Sequence, residues 1–364
     1  MNKIECTNCH RPYPEESVPY CCPVCGGIYD FADMPIFDPS QIEPGLPGIW
    51  RYRFSFGLPS DAPIVSLGEG GTPLLPSAFD GREVFYKLEY LNPTGSFKDR
   101  GASLIASFLK ARGVDTAVED SSGNAGASFA AYAARCGIHA QIYVPSYASG
   151  PKCKQIEMYG AEIFRIAGPR SKTAEAVIEA TRSGKVYASH AYLPFGMPGY
   201  ATIAYELVEQ LGCAPGAVVA PVGQGGLILG LARGFDSLKR AGLIPEVPRL
   251  IGVQARACAP LWALSQFGQT GLNLVNEGET IAEGVRVLRP IWGDVVLRAV
   301  ESSRGQFIAV DEDEILAGRD MLARQGFYVE PTSAIVWSAL KQMDVNAPSP
   351  IVAILTGFGL KSGL

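Results

Sequence analysis

The chain is organised around one short stretch at positions 91–101, Leu91-Asn92-Pro93-Thr94-Gly95-Ser96-Phe97-Lys98-Asp99-Arg100-Gly101. A strand-like apolar run precedes it at residues 84–89, and a helix-like apolar pattern follows it at residues 102–109. The asparagine, proline and glycine favour a turn between these two elements, and Ser96 is a suitable N-cap for the helix. We therefore expect Lys98 at a helix N-terminus, on a loop that leaves the C-terminal end of a strand.

A lysine in this position has two interpretations. An amine held near a helix N-terminus and an arginine has a reason to lose its proton, which suits a nucleophilic or Schiff-base lysine. Most lysines are solvated surface groups, however, and one short motif does not exclude that interpretation. The choice between the two depends on the rest of the chain.

Length, composition and charge limit the possible classes of protein. At 364 residues the chain exceeds the size at which a single core stops growing, so we expect two lobes. The 31 basic and 36 acidic residues give a net charge of −5 without a basic tail, which argues against a nucleic-acid partner. No apolar signal segment or bilayer-length apolar run is present, so we expect a cytoplasmic protein without a membrane partner.

Four of the nine cysteines form two Cys-x-x-Cys pairs, Cys6 with Cys9 and Cys22 with Cys25. Each such turn directs two thiolates at one point, and two turns provide the tetrahedral sulfur set that Zn²⁺ prefers. A redox pair is the alternative, but neither pair lies in a strand–helix context. We predict a structural zinc without an open coordination position, in a zinc-ribbon-like segment of residues 1–35.

Strand and helix patterns alternate from Lys110 onward, with short connections between them. Strand patterns occur, for example, at residues 116–119 and 162–166, and a helix pattern at residues 125–136. This alternation predicts parallel βαβ units. Residues 103–200 form one predicted lobe of this kind.

Glycine-rich or polar loops follow several of the predicted strands. The loop at residues 221–226, Pro-Val-Gly-Gln-Gly-Gly, joins a buried strand to a helix N-terminus. Such a loop favours a phosphate, because its backbone N–H groups can surround an anion, although a tight strand–helix turn would have the same sequence. The loop lacks the lysine of a P-loop and the acidic residue of a ribose site, so it predicts a phosphate without a nucleotide.

These loops lie where ligands bind in open α/β sheets, at the C-terminal ends of strands. They comprise the Lys98 loop, the loop at residues 121–125, the glycine loop at residues 221–226 and a fourth loop at Thr356. A reactive lysine together with a phosphate site that lacks nucleotide signatures is typical of pyridoxal phosphate enzymes. The catalytic interpretation of Lys98 is therefore favoured.

With Gly68-Glu69-Gly70-Gly71-Thr72-Pro73-Leu74, these motifs resemble the threonine synthase-like family of fold-type II (tryptophan synthase β-like) pyridoxal-phosphate enzymes. The motifs run in the family's order from about residue 67 to 361, and the cysteine pairs resemble those of some members. The resemblance implies an α/β fold with two open, twisted, mostly parallel sheets flanked by helices, plus the zinc-ribbon appendage. It divides the chain into residues 1–35, a large cofactor-binding domain of 36–102 and 201–364, and a small α/β domain of 103–200.

The resemblance also assigns site residues. Lys98 would hold pyridoxal 5'-phosphate as a Schiff base and move the α-proton of the substrate, with Phe97 packed beside the ring. Asn124 would bind the phenolic oxygen of the cofactor, and Thr356 would face its pyridine nitrogen. The cofactor phosphate would be bound by Gly223, Gln224, Gly225 and Gly226, and the substrate carboxylate by Ser121, Ser122 and Asn124.

The implied activity is that of a carbon–oxygen lyase, which converts O-phospho-L-homoserine and water into L-threonine and phosphate. The family tends to place an arginine for the substrate phosphate where this chain has residues 192–199, which contain none. Arg170, Lys172 or Arg286 could replace it. The family also implies a small amino-acid substrate and a homodimer.

Two other functions stay open. The first is β-elimination or β-replacement on a substrate without a phosphate leaving group, as in serine/threonine dehydratase-like enzymes or amino-acid synthases; Ala125, where the family usually has threonine, favours it. The second, from another class, is a zinc-ribbon binding protein whose enzyme lobe has lost the cofactor. The intact lysine motif argues against the second.

Overall fold

A computed structural model describes residues 4–168, 170–344 and 346–363. Among these residues the strands are β1 (Ile4–Cys6), β2 (Tyr29–Phe31), β3 (Leu74–Phe79), β4 (Arg82–Lys87), β5 (Thr116–Glu119), β6 (His139–Pro145), β7 (Glu162–Ile166), β8 (Val186–Tyr187), β9 (Ala217–Pro221), β10 (Arg249–Ala255), β11 (Gln306–Val310) and β12 (Ile351–Ile354). The α-helices are α1 (Lys98–Ala111), α2 (Asn124–Cys136), α3 (Pro151–Met158), α4 (Arg170–Arg182), α5 (Met197–Leu211), α6 (Gly226–Arg240), α7 (Pro260–Phe267), α8 (Gly293–Ser302), α9 (Glu312–Arg324) and α10 (Pro331–Gln342).

The strands form three sheets. A four-stranded parallel sheet has the order β7-β6-β5-β8, and a six-stranded sheet has the order β11-β10-β9-β12-β4-β3. The larger sheet is parallel except for β3, which pairs antiparallel with β4. A small antiparallel pair, β1 with β2, lies beside the cysteines. The predicted α/β fold with two open, mostly parallel sheets is confirmed.

No helix in the described ranges is both long and apolar enough to cross a lipid bilayer.

The described residues group into two compact units. The first contains residues 4–70 and Asn92–Gly199, with β1, β2 and the four-stranded sheet; the second contains Gly71–Leu91 and most of the chain from Tyr200 to Ser362, with the six-stranded sheet. This division differs from the predicted domains, because residues 36–70 and 92–102 fall in the first unit, as does the cysteine segment. A proline-rich stretch after the cysteine segment leads directly into a short, partly buried 3-10 helix, Gly48–Ser55.

A buried carboxylate, Glu69, joins several segments of the first unit. Its oxygens accept hydrogen bonds from the indole nitrogen of Trp50 (3.1 Å), the hydroxyl of Ser103 on α1 (2.7 Å) and the hydroxyl of Tyr132 on α2 (2.7 Å). Glu69 also accepts from the hydroxyl of Ser66. Burial of an ionisable group is tolerated when hydrogen bonds satisfy it in this way. The glycine-rich segment around Glu69 therefore anchors α1, the helix that begins at Lys98.

A buried lysine, Lys87 on β4, has the corresponding role in the second unit. Its Nζ donates to the Oε2 of Glu206 on α5 (2.6 Å). It also donates to the backbone oxygen of Thr72 (2.7 Å) and to the side-chain oxygen of Gln210 (2.9 Å). An amine bound by three acceptors in this way is held as an ammonium ion. Lys87 is therefore a structural lysine and not a second candidate nucleophile.

Replacement of Glu69 by alanine is expected to lower the free energy of unfolding by about 3 kcal/mol, because the buried Tyr132 hydroxyl loses its acceptor while Trp50 and Ser103 each lose one of two. Urea unfolding of the full chain measures this. Glu43→Ala, which removes an exposed glutamate from the same unit, is the control and should change stability by less than about 0.5 kcal/mol. Equal stability of the two variants would contradict the anchoring role of Glu69.

Candidate active site

Lys98 is the first residue of α1, as the sequence predicts. The predicted N-cap at Ser96 is wrong: Phe97 occupies the cap position, and the Ser96 hydroxyl is buried without a hydrogen-bond partner among the described residues. The carboxylate of Asp99 orders the loop instead, because it accepts hydrogen bonds from the backbone N–H (2.7 Å) and the hydroxyl (2.6 Å) of Thr94. It also accepts from Ser128 on α2 (2.5 Å).

A cavity within the first unit contains the Lys98 side chain. The Lys98 Nζ lies 5.0 Å from the centroid of the Phe97 ring. The cavity has mainly small or apolar walls, with an acid and an imidazole among them; its lining residues are Lys98, Ala102, Ile105, Glu119, Ala125, Phe129, Ala188 and His190. An amine in such surroundings differs from a solvated surface lysine, which supports the catalytic interpretation of Lys98.

Glu119 and His190 were not identified as site residues from the sequence. Glu119 ends β5, His190 follows β8, and the His190 Nδ1 lies 2.7 Å from the Glu119 Oε1. Burial and the nearby Asp120 raise the pKa of Glu119 well above its usual range, although Lys98 and Arg170 oppose this. Burial and the positive charges of Lys98 and Arg170 lower the pKa of His190 well below its usual value. Both shifts favour the neutral form of the group concerned, which suits a hydrogen bond with one proton between the Glu119 Oε1 and the His190 Nδ1.

The predicted substrate-binding loop lies at the start of α2. This helix begins at Asn124, and the Ser121 hydroxyl accepts a hydrogen bond from the N–H of Gly123 (3.2 Å). Gly126 is required here, since a Cβ atom at this position would lie 1.8 Å from the Ser121 backbone oxygen. Ser121, Ser122 and Asn124 thus occupy a helix N-terminus at the C-terminal end of β5, a place suited to a carboxylate.

The glycine loop joins β9 to α6 in the second unit. Gly225 has a φ of 94°, a conformation that other residues rarely adopt, and α6 begins at Gly226. The Gln224 side chain accepts from the N–H of Ile291 (3.0 Å), so it holds a neighbouring segment. No acceptor is found within the described ranges for the backbone N–H groups of Gly223, Gln224 and Gly225. A phosphate is an anion that such groups bind well.

Thr356 follows β12, the strand next to β9 in the six-stranded sheet. Its backbone N–H donates to the Ser333 hydroxyl (2.7 Å), while its own buried Oγ1 has no hydrogen-bond partner in the described part of the chain. A buried hydroxyl is expected to be satisfied. Thr356 and the glycine loop therefore provide, from neighbouring strands, polar groups suited to a ligand.

The four predicted zinc ligands come together. The sulfur atoms of Cys6, Cys9, Cys22 and Cys25 all lie within 4.8 Å of one another. Those of Cys6 and Cys25 are 3.4 Å apart, and those of Cys9 and Cys22 are 3.7 Å apart. Backbone N–H groups, chiefly that of Val24, lower the pKa of Cys22 to about 6. This cluster could bind a metal ion.

Comparison with known proteins identifies the family. A profile of the family described as pyridoxal-phosphate dependent enzyme matches residues 65–357. Two similar relatives are named threonine synthase: one from Methanocaldococcus jannaschii is 33% identical over 98% of this chain and 92% of its own length, and one from Mycobacterium tuberculosis is 36% identical over 88% of this chain and 89% of its own length.

Solved structures with a similar fold include enzymes with other names. Maize serine racemase matches with a TM-score of 0.68 at 26% identity, covering 79% of this chain and 88% of its own. The threonine deaminase of T.th. matches with a TM-score of 0.65 at 27% identity, covering 79% and 92%. The profile match over most of the chain and the similarity to the curated relatives lead to one conclusion: this chain belongs to the family of pyridoxal-phosphate-dependent enzymes.

Proposed function

We propose that the chain is a threonine synthase, which converts O-phospho-L-homoserine and water into L-threonine and phosphate. The observation that carries this proposal is the similarity to proteins named threonine synthase, which covers 98% of this chain in the relative from Methanocaldococcus jannaschii and 88% in the one from Mycobacterium tuberculosis. The position of Lys98 in a mostly apolar cavity agrees with it. Assembly as a homodimer and a cytoplasmic location stay predictions.

The residues proposed to hold pyridoxal phosphate have groups suited to it. The Thr356 hydroxyl would form a hydrogen bond with the pyridine nitrogen of the cofactor, and the backbone N–H groups of the glycine loop would bind its phosphate. When bound, the cofactor supplies an electron sink for the charge that develops at the substrate Cα. The full proposed set is Phe97, Lys98, Asn124, Gly223, Gln224, Gly225, Gly226 and Thr356.

Lys98 would also act as the base. Its amine, at the first turn of α1, would take the proton from the substrate Cα, and the same group can return a proton at a later step. Ser121, Ser122 and Asn124 would bind the substrate carboxylate, because the N-terminus of α2 favours an anion. These residues would fix the substrate with its Cα–H bond directed at the lysine.

A second candidate function is β-elimination or β-replacement on a substrate without a phosphate. One observation favours it: the segment where the family tends to place a phosphate-binding arginine packs into the core, with Phe195 stacked on Phe108 at a centroid distance of 3.5 Å. Of the possible substitutes, Lys172 is exposed and pairs with Glu175 (2.7 Å). Arg286 is half-buried and donates to the Glu277 backbone oxygen (3.3 Å).

Steady-state assays with O-phospho-L-homoserine, L-threonine and L-serine separate the two functions. We expect equal amounts of threonine and phosphate from the first substrate, and a decrease in kcat/KM of about 10³-fold or more in Lys98→Ala, because the variant lacks the base. Lys341→Ala, which removes a lysine from the last turn of α10, is the control and should retain activity. Formation of 2-oxobutyrate from threonine, without threonine synthesis, would favour the second function and contradict the first.

We also propose that Cys6, Cys9, Cys22 and Cys25 bind a structural Zn²⁺. Zinc–thiolate bonds of about 2.3 Å in a tetrahedron place the sulfurs about 3.8 Å apart, close to the two distances reported above. The donor set of four sulfurs leaves no position for substrate, so the metal would stabilise the segment around β1 and β2 and not take part in catalysis.

Removal of one ligand tests the zinc proposal. Cys9→Ser is expected to lose the metal and to increase amide hydrogen exchange in residues 4–35, while the cofactor absorbance is retained. Cys213→Ser, which removes an exposed cysteine distant in sequence from the cluster, should retain the metal. Metal analysis and hydrogen-exchange mass spectrometry give both readouts; full metal content in Cys9→Ser would refute the site.

A further inference from the structure

The cavity that contains Lys98 also holds an acid–base pair to which neither the family resemblance nor the proposed reaction gives a role. The Glu119 side chain has 0% exposure and the His190 side chain 19%, and both line the cavity together with Lys98. The Glu119 Oε1 is bonded to the His190 Nδ1, but its Oε2 is buried and has no hydrogen-bond partner in the described residues. A buried carboxylate with one unsatisfied oxygen is costly when charged and much less so when protonated.

The groups around the pair determine how it holds a proton. Asp120 lies beside Glu119 and accepts from the Tyr187 hydroxyl (2.7 Å), while Lys98 and Arg170 act on both members of the pair. The two cations disfavour a positive imidazole and favour a negative carboxylate. A neutral Lys98 therefore favours a proton on Glu119, and a charged Lys98 favours its loss.

We propose that Glu119 and His190 form a proton relay that donates a proton to the leaving group of an amino-acid substrate while Lys98 holds the proton taken from Cα. This inference rests on the role proposed for Lys98. His190 would be the catalytic residue, since its Nε2 is the atom available to the substrate, and Glu119 would be the positioning residue behind it.

The proton balance of the relay closes over one turnover. The leaving oxygen takes the proton on the His190 Nε2, and the His190 Nδ1 takes the proton of Glu119, which becomes a carboxylate opposite the Lys98 ammonium. In the proposed reaction the oxygen leaves from Cγ, so one proton also moves from Cβ to Cγ without net change. Water then adds its oxygen at Cβ and releases one proton, and Lys98 returns its proton to Cα. The proton from water returns to Nε2, the Nδ1 proton returns to Glu119, and the pair regains its starting state.

The coupling between Lys98 and His190 can be measured without substrate. The chain has only three histidines, so ¹³C-labelled histidine in the full chain, prepared without cofactor, gives three signals for a pH titration by NMR. The His190 signal is assigned by its loss in His190→Asn. We expect its midpoint to lie well below the usual range of histidine, and to rise by about one pH unit or more in Lys98→Met, because the ammonium is removed.

The exposed pair of His139 and Glu162 provides a matched reference. The His139 Nε2 lies 3.3 Å from the Glu162 Oε2 at the surface, so the His139 signal in the same spectra reports any effect of Lys98→Met that is not specific to His190. An unchanged His190 midpoint in Lys98→Met, or an ordinary midpoint in the unsubstituted protein, would overturn the proposal. Because this titration uses no substrate, its outcome is independent of whether the protein makes threonine.

A kinetic test addresses the relay itself. Glu119→Gln keeps a hydrogen-bonding side chain of the same size beside His190, but its amide has no titratable proton to transfer. We expect kcat on the substrate found by the assays above to fall by about 10²-fold or more, with KM within threefold and the cofactor absorbance retained. Glu162→Gln, the same change in the exposed pair, should leave kcat unchanged; a kcat of Glu119→Gln within threefold of the unsubstituted protein would overturn the relay.

Discussion

The buried carboxylate of Asp99 is the constraint on which the position of Lys98 depends. It accepts two hydrogen bonds from Thr94, at the start of the loop, and one from Ser128 on α2. Since Asp99 directly follows Lys98, these bonds determine where the amine enters its cavity. A buried carboxylate cannot lose such partners without a large cost, so the loop and the two helices are stable only together.

Much of the fold could be predicted from the sequence, because strand and helix periodicity is a local property. The predicted strands at residues 116–119 and 162–166 match β5 and β7, and the predicted helix at residues 125–136 starts within one residue of α2. Two features could not be predicted in this way. Serine is a favoured N-cap residue, but tertiary contacts of Asp99 order the loop and Ser96 does not cap the helix. The burial of Trp50, which follows the proline-rich segment, depends on partners that are distant in sequence.

The candidate site likewise contains residues that the sequence identifies and residues that only the structure identifies. Lys98, the glycine loop, Thr356 and the four cysteines could be identified because each belongs to a short motif whose chemistry is contained in adjacent residues. Glu119 and His190 are 71 positions apart, and only the pairing of β5 with β8 places them together. A signal existed, since Glu119 directly precedes the Asp120–Asn124 loop and histidine is rare in this chain, but the sequence alone does not pair the two residues.

The central claim is that Lys98, and no other lysine, carries the cofactor. Borohydride reduction of the cofactor-loaded protein makes the bond between lysine and cofactor permanent, and peptide mass spectrometry then identifies the lysine. We expect the added pyridoxyl mass on the peptide that contains Lys98, and no labelled peptide in Lys98→Ala. A label on Lys87 or another lysine, or a protein that takes up no cofactor, would contradict the account.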